Sequence, residues 1–227
     1  PVAVFGHAAK WYGHVIGLVD ATVEIGRGIT GLLRPNGAGK STFMKVLMGQ
    51  LQPSQGTVRL LGVDPFAVPS VHARVGFLPE QDSFYEDMTG RAFVRFLAGL
   101  QGCAGRADDA LARVGLEGAR DRKIRTYSKG MRQRVKLAQA IAHDPEVLVL
   151  DEPLTGMDPV ARRQMIDLMR DFEKRGATVV VSSHILHEVE AMTDRVILLY
   201  QGRVRAVGTR EEIRGLLDEH PHQIRVQ

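Results

Sequence analysis

Cysteine is nearly absent: the 227-residue chain has one, Cys103, which has no second thiol to pair with. Disulfide-built secreted folds are excluded on that count, and a reducing, cytoplasmic setting is the expectation. Long apolar runs are lacking as well. The longest, such as Val147 to Leu150 and Ala177 to Val181 with its one threonine, are four or five residues, against about 20 needed to cross a bilayer. No segment is therefore expected to span a membrane, and no basic stretch followed by an apolar core opens the chain at Pro1 to Lys10. Nor is there much charge of one sign: 30 Lys and Arg against 26 Asp and Glu leave +4, too little by itself to indicate a nucleic-acid partner. The basic run Arg120, Arg122, Lys123 and Arg125 is read first as a solvated face, second as a surface for an anionic partner. What is present, 44% hydrophobic residues and 24 glycines, is ordinary globular material with enough apolar content for one sizeable core.

Ile29 to Leu33, Val147 to Leu150 and Thr178 to Val181 are short, continuous apolar stretches. Continuity rather than alternation is the pattern of parallel strands covered on both faces, so the expected class is α/β. Phe93 to Gly118 carries Ala, Leu, Gly and Arg at roughly helical spacing, and Val196 to Tyr200, Gln201-Gly202 and Arg203 to Val207 read as a hairpin. Thr209 with Glu212 three residues on predicts a capping box that opens a last helix. His222 to Gln227 read as the beginning of a strand, so the natural chain is expected to continue past this point.

Ile29 to Leu33 runs directly into Arg34-Pro35-Asn36-Gly37-Ala38-Gly39-Lys40-Ser41-Thr42, after which Phe43, Met44, Val46, Leu47 and Met48 supply helical periodicity. Strand, glycine loop and helix in this order make a phosphate cradle. Backbone N–H groups converge on the β- and γ-phosphates, the helix N-terminus adds its positive dipole end, Lys40 neutralises charge and the Ser41 hydroxyl can ligate Mg²⁺. Gly37 and Gly39 let the backbone approach without a Cβ in the way. The strict pattern begins with glycine six residues before the lysine, where this chain has Arg34. Met44 and Met48 are read as core packing.

A second cluster, Val147-Leu148-Val149-Leu150-Asp151-Glu152-Pro153, puts two acids at the carboxyl end of a buried strand, where open α/β sheets place ligands. Asp151 can hold Mg²⁺ through its water shell, which leaves Glu152 to polarise an attacking water.

Together these residues resemble the nucleotide-binding domain of ATP-binding-cassette (ABC) proteins, because other motifs follow that a generic phosphate-loop enzyme lacks. Tyr127-Ser128-Lys129-Gly130-Met131 is similar to the family signature, usually Leu-Ser-Gly-Gly-Gln, with Lys129 in place of its first glycine. Leu154-Thr155-Gly156-Met157-Asp158-Pro159 is similar to the D-loop, Ser182-Ser183-His184 to the switch-histidine loop, and Trp11-Tyr12-Gly13 to the aromatic loop where Tyr12 would stack on adenine. After Gly76-Phe77-Leu78-Pro79 the family's Gln position is Glu80, with Gln81 next in line; a carboxylate there can still reach Mg²⁺ or its water. The resemblance covers Val2 to about Leu217 and is nearest to the exporter-type (ABC-2-like) branch.

The resemblance implies a phosphate-loop core with a mainly parallel sheet, an N-terminal antiparallel β portion and an inserted helical lobe. It implies one ATP-binding domain over residues 1–227, with the lobe at about 83–145 and a possible extension opening at about 218–227. ATP and Mg²⁺ are the implied cofactors. Tyr12, Asn36, Gly37, Ala38, Gly39, Lys40, Ser41 and Thr42 would hold the nucleotide, and Ser128, Lys129, Gly130 and Asp158 would serve the site of a second subunit packed head to tail. Ser41, Asp151 and Glu80 would serve the metal, and Glu152, His184 and Glu80 the hydrolysis. A transmembrane permease subunit is the implied partner, docking near Glu80 to Leu100, where Phe84, Tyr85, Phe93 and Phe96 either face that partner or fill the lobe's own core. The expected role is the motor of a membrane transporter, held at the cytoplasmic face through that partner, with no nucleic acid. The competing readings are a cassette ATPase acting on ribosomes, DNA or cofactor assembly, and a weakly hydrolysing regulatory subunit.

Overall fold

A computed structural model of the chain describes residues 1–33 and 40–219. The glycine loop from Arg34 to Gly39 and the strand expected at His222 to Gln227 lie outside the described residues. In chain order the elements are β1 (Ala3–Tyr12), β2 (Val15–Ile25), β3 (Ile29–Leu33), α1 (Lys40–Leu47), β4 (Gln55–Leu60) and β5 (Val75–Leu78). Helices α2 (Gly90–Leu100), α3 (Ala107–Arg113) and α4 (Lys129–Ile141) follow, then β6 (Val147–Asp151), α5 (Pro159–Lys174) and β7 (Thr178–Ser183). The last elements are α6 (Leu186–Glu190), β8 (Arg195–Tyr200), β9 (Arg203–Thr209) and α7 (Arg210–Glu219). Among the described residues no helix is long and apolar enough to cross a membrane. The elements fall into two compact units, one of Pro1–His72 with the chain from Val180 on, the other of Ala73–Val179.

In the first unit β1 lies between β2 and β4 in an antiparallel sheet, with Trp11 opposite Ile16 and Tyr12 opposite Val15. Phe5 of β1 stacks on Phe43 of α1 with ring centroids 4.3 Å apart, which seats the helix behind the phosphate loop on this sheet. Met44 and Met48 are buried with it, as core packing requires. All five residues of β3 are buried, and the strand pairs in parallel with β8, Gly31 opposite Val196 and Leu33 opposite Leu198. The expected hairpin joins β8 to β9 through Gln201 and Gly202, whose φ angles of 49° and 73° are those of a turn matched to strand twist. The capping box is present: Thr209 N–H donates to Glu212 Oε2 at 2.7 Å, and Glu212 N–H donates to Thr209 Oγ1 at 3.4 Å. α7 therefore starts where the sequence places it, and its Ile213 joins Leu33, Val189, Val196 and Leu198 in one buried cluster.

In the second unit β5 and β6 pair in parallel, Val75 opposite Val147 and Leu78 opposite Leu150. With β3 and β8 this gives the mainly parallel, α/β character that the apolar runs predict, beside the antiparallel portion at the N-terminus. The helical lobe lies between β5 and β6 in sequence. Its helical spacing over Phe93 to Gly118 resolves into two helices rather than one. α2 starts earlier, at Gly90, because Thr89 Oγ1 accepts from Ala92 N–H at 3.1 Å, and the chain breaks at Gly102, whose φ of 73° ends a helix. Phe93 is buried against Phe84, whereas Tyr85 and Phe96 are exposed and meet edge to face at 6.2 Å. Half of the aromatic set thus fills the lobe and half stands on its surface. Three of the four residues of the basic run are ion-paired, Arg120 with Asp108 and Asp121, Lys123 and Arg125 both with Asp87 at 3.4 Å, and Arg122 donates to the Thr126 carbonyl at 3.0 Å. Its charge is met locally, in keeping with a solvated face.

Candidate nucleotide site

Each unit carries part of the chemistry. In the first, α1 opens at Lys40 and has no acidic residue in its first turn, so nothing within that turn opposes an anion at the amide end of the helix. Ser41 is exposed there. Thr42 is buried, and its Oγ1 lies 3.3 Å from the Tyr12 hydroxyl. Gly17 makes that approach possible, since a Cβ there would stand 2.7 Å from both Thr42 Oγ1 and Tyr12 Cε2. The ring of Tyr12 is left exposed near the start of α1, which suits a planar base. Asn36, Gly37, Ala38 and Gly39 are outside the described residues.

His184 follows the wholly buried strand β7. The turn that presents it is tied at its base: Ser183 Oγ donates to Glu188 Oε2 at 2.7 Å and accepts from Ile185 N–H at 3.1 Å. Glu188 is 3% exposed, and this hydroxyl supplies a hydrogen bond that a buried carboxylate requires. Sequence reasoning missed its part in shaping the histidine turn.

In the second unit the acid pair ends β6 as predicted. Asp151 is 7% and Glu152 2% exposed, and Glu152 has a φ of 51°, a left-handed conformation that a non-glycine residue adopts only where the surroundings enforce it. Thr155 holds it twice, by N–H to the Glu152 carbonyl at 3.3 Å and by Oγ1 to Oε2 at 3.3 Å. The side chain is thereby tied to the turn that follows the strand. Asp158 caps α5, its Oδ1 accepting from Val160 and Ala161 N–H at 3.0 Å each, and these bonds, led by that of Ala161, hold its carboxyl below the usual carboxylate range.

Ser128 caps α4, with Oγ accepting from Met131 N–H at 3.3 Å. Lys129 lies over Gly156: a Cβ on Gly156 would stand 2.7 Å from Lys129 Cε, and the glycine's φ of 70° is itself unfavourable to a side chain. The Ser128–Gly130 segment and the Leu154–Pro159 segment are therefore in direct contact. Glu80 is exposed, and the carbonyls of Pro79 and Glu80 accept from Lys136 Nζ at 3.0 and 3.2 Å. Lys136 and Thr155 were not singled out from the sequence. A lysine set between the apolar Val135 and Leu137 was the signal available for the first.

Hydroxyl and carboxylate oxygens are the hard ligands that Mg²⁺ prefers; Ser41 carries such a hydroxyl in the first unit, and Asp151 such a carboxylate at a strand end in the second. The family model for ABC transporters matches residues 18–155. The chain belongs to the ABC transporter family. Among its ABC relatives, an uncharacterised ABC transporter ATP-binding protein of Nostoc sp. is 40% identical over 88% of this chain and 62% of its own length. The Nod factor export ATP-binding protein I of Burkholderia orbicola is 38% identical over 90% of this chain and 69% of its own. A solved ATP-binding subunit of an ABC transporter superposes with a TM-score of 0.84 at 29% identity, covering 96% of this chain and 94% of that one. The chain spans 58% to 62% of the length of several curated ABC relatives it matches.

Proposed function

We propose that this chain is the ATP-binding and ATP-hydrolysing domain of an ABC transporter that acts as an exporter. The observation that carries the proposal is the Asp151-Glu152 pair, buried at the carboxyl end of β6 with Glu152 in a left-handed backbone conformation and held by Thr155. General-base activation of water needs a carboxylate held in place, and Thr155 contributes to that hold. Export follows the Burkholderia relative, whose name assigns it to Nod factor export.

In this reading Tyr12 stacks on the adenine, and Asn36 to Thr42 with Lys40 cradle the phosphates. Ser41 and Asp151, with Glu80 on the water shell, would hold Mg²⁺, which would supply charge neutralisation at the phosphate oxygens. Glu152 takes a proton from the attacking water while His184 orients that water toward the γ-phosphate. Ser128, Lys129 and Gly130 face the γ-phosphate held by a second, head-to-tail subunit, and Asp158 links the two sites. Lys129 adds a cation where the family signature has glycine, and its contact with Gly156 holds it beside the D-loop. A transmembrane permease subunit is the partner that keeps the domain at the cytoplasmic face, and the exposed Tyr85 and Phe96 suit that contact.

The test is Mg²⁺-dependent ATPase activity of wild type beside Glu152→Gln. Loss of a properly placed general base lowers kcat by about 100-fold or more and leaves nucleotide binding in place. Turnover within about twofold of wild type would remove Glu152 from the reaction.

A further inference from the structure

Lys136 lies in the middle of α4 with its side chain 4% exposed, flanked by the fully buried Val135 and Leu137. A buried ammonium is tolerated only where its donors are met. All three are: Nζ donates to Pro79 O at 3.0 Å, Glu80 O at 3.2 Å and Asp82 Oδ1 at 2.9 Å. Every acceptor belongs to the short loop that presents Glu80.

The contact belongs to a longer series. Arg132, Lys136, Gln139 and His143 recur at helical spacing on one face of α4 and its C-terminal continuation. Arg132 holds Glu86 at 2.7 and 2.8 Å, Gln139 Nε2 donates to Phe77 O at 2.8 Å, and the His143 ring bonds Val75 O at 3.2 Å. The partners run backward, from 86 to 75, as the helix runs forward. At the other end a Cβ on Gly76 would stand 2.1 Å from Ala140 O, so strand and helix backbones are already at closest approach. The segment from β5 through Glu80 to Glu86 is thus fastened along α4, whose N-cap is Ser128. Lys136 bonds the loop at Glu80 itself, and it stands eight residues, about 12 Å of helix, from Ser128.

We propose that Lys136 is a positioning residue that makes the Glu80 loop and the Ser128 end of α4 move as one body, so that a nucleotide-driven displacement of Glu80 is delivered to the signature. The inference rests on the reading above in which Glu80 and Ser128 face phosphate. Removing the ammonium takes away the tie at residues 79–82 and leaves the Glu80 carboxylate and the Ser128 hydroxyl in place.

The experiment compares wild type with Lys136→Met, Asp82→Asn and Glu80→Ala in the full natural chain. It measures kcat and KM for Mg²⁺-ATP, the thermal midpoint, and amide hydrogen exchange over residues 79–83 and 127–131 with and without a non-hydrolysable ATP analogue. In wild type both segments respond to the analogue. In Lys136→Met the response at 79–83 persists, that at 127–131 falls at least about threefold, and kcat drops about tenfold with KM within about twofold, the split expected of misplacement. Asp82→Asn, at the surface, changes in the same direction by less, because two carbonyl contacts remain. Wild-type kcat with a joint response in Lys136→Met overturns the proposal, and so does a loss of kcat that matches the loss of folded protein while the segments still respond together. If Lys136→Met does not fold, Asp82→Asn decides: a fall in kcat of about threefold at an unchanged thermal midpoint supports the proposal, and unchanged kcat overturns it. If Glu80→Ala leaves turnover intact, the phosphate-facing reading of Glu80 fails first and takes the proposal with it, whatever Lys136 does.

Discussion

Gly76→Ala tests the packing that sets the position of α4. Gly76 sits in β5 opposite Leu148 of β6, and the methyl added at its Cα would meet Ala140 O at 2.1 Å and Leu148 Cδ2 at 2.8 Å. Carbon and carbonyl oxygen normally stand about 3.3 Å apart, so strand and helix must separate by roughly 1 Å. The leucine tip can rotate away; the carbonyl oxygen belongs to the helix backbone and cannot. Overpacking against rigid structure costs about 1–3 kcal/mol, and a backbone neighbour puts this site at the upper end, about 3 kcal/mol. For a chain of this length that is a fall in thermal midpoint of about 6–12 °C. Because α4 carries Ser128, Lys129 and Lys136, kcat should fall in the fraction that remains folded, by about tenfold. Thermal unfolding followed by circular dichroism, with ATPase measured well below the transition, reads both effects. Gly118→Ala is the control, since nothing lies within 4 Å of the added methyl and stability should stay within about 0.5 kcal/mol. If Gly76→Ala matched Gly118→Ala in both readouts, the account of how α4 is seated would be wrong.

Two further outcomes follow from single side chains. Burial holds the His143 ring below its usual pKa, opposed by its bond to Val75 O and reinforced by the nearby Arg106 charge. Below about pH 6.5 the unfolded chain therefore binds a proton that the folded one resists, so stability falls as pH drops from about 6.5 toward the folded value. Urea unfolding at pH 7.5 and 5.5 should show this loss reduced in His143→Asn, and an identical pH dependence in both proteins would refute it. Tyr12→Ala should weaken nucleotide binding by about tenfold or more while Tyr12→Phe stays near wild type, because stacking needs the ring and the hydroxyl only reaches Thr42. Titration with a fluorescent ATP analogue separates the two, and equal losses in both variants would move the role from the ring to the hydroxyl.

Much of the molecule was legible as local pattern. The continuous apolar runs became β3, β6 and β7 because a strand buried on both faces has no polar alternation to show. Gln201-Gly202 and the Thr209-Glu212 box worked because turn and cap chemistry acts within four residues. The break at Gly102 was less visible, since glycine inside an alanine-rich stretch reads as tolerable until its φ is known.

Composition and local order by themselves determined the absence of a long apolar span, the α/β class, the acid pair at a strand end and the family. These depend on residue type and short spacing, which a linear chain displays. Tertiary structure decided what distant residues do to one another. Glu188 became the anchor of the His184 turn, Gly156 became the seat of Lys129, and Lys136, a lysine between two apolar neighbours, found three oxygens in a loop more than 50 residues upstream. Buried polar groups must find partners wherever the fold places them, and sequence spacing carries no record of that distance.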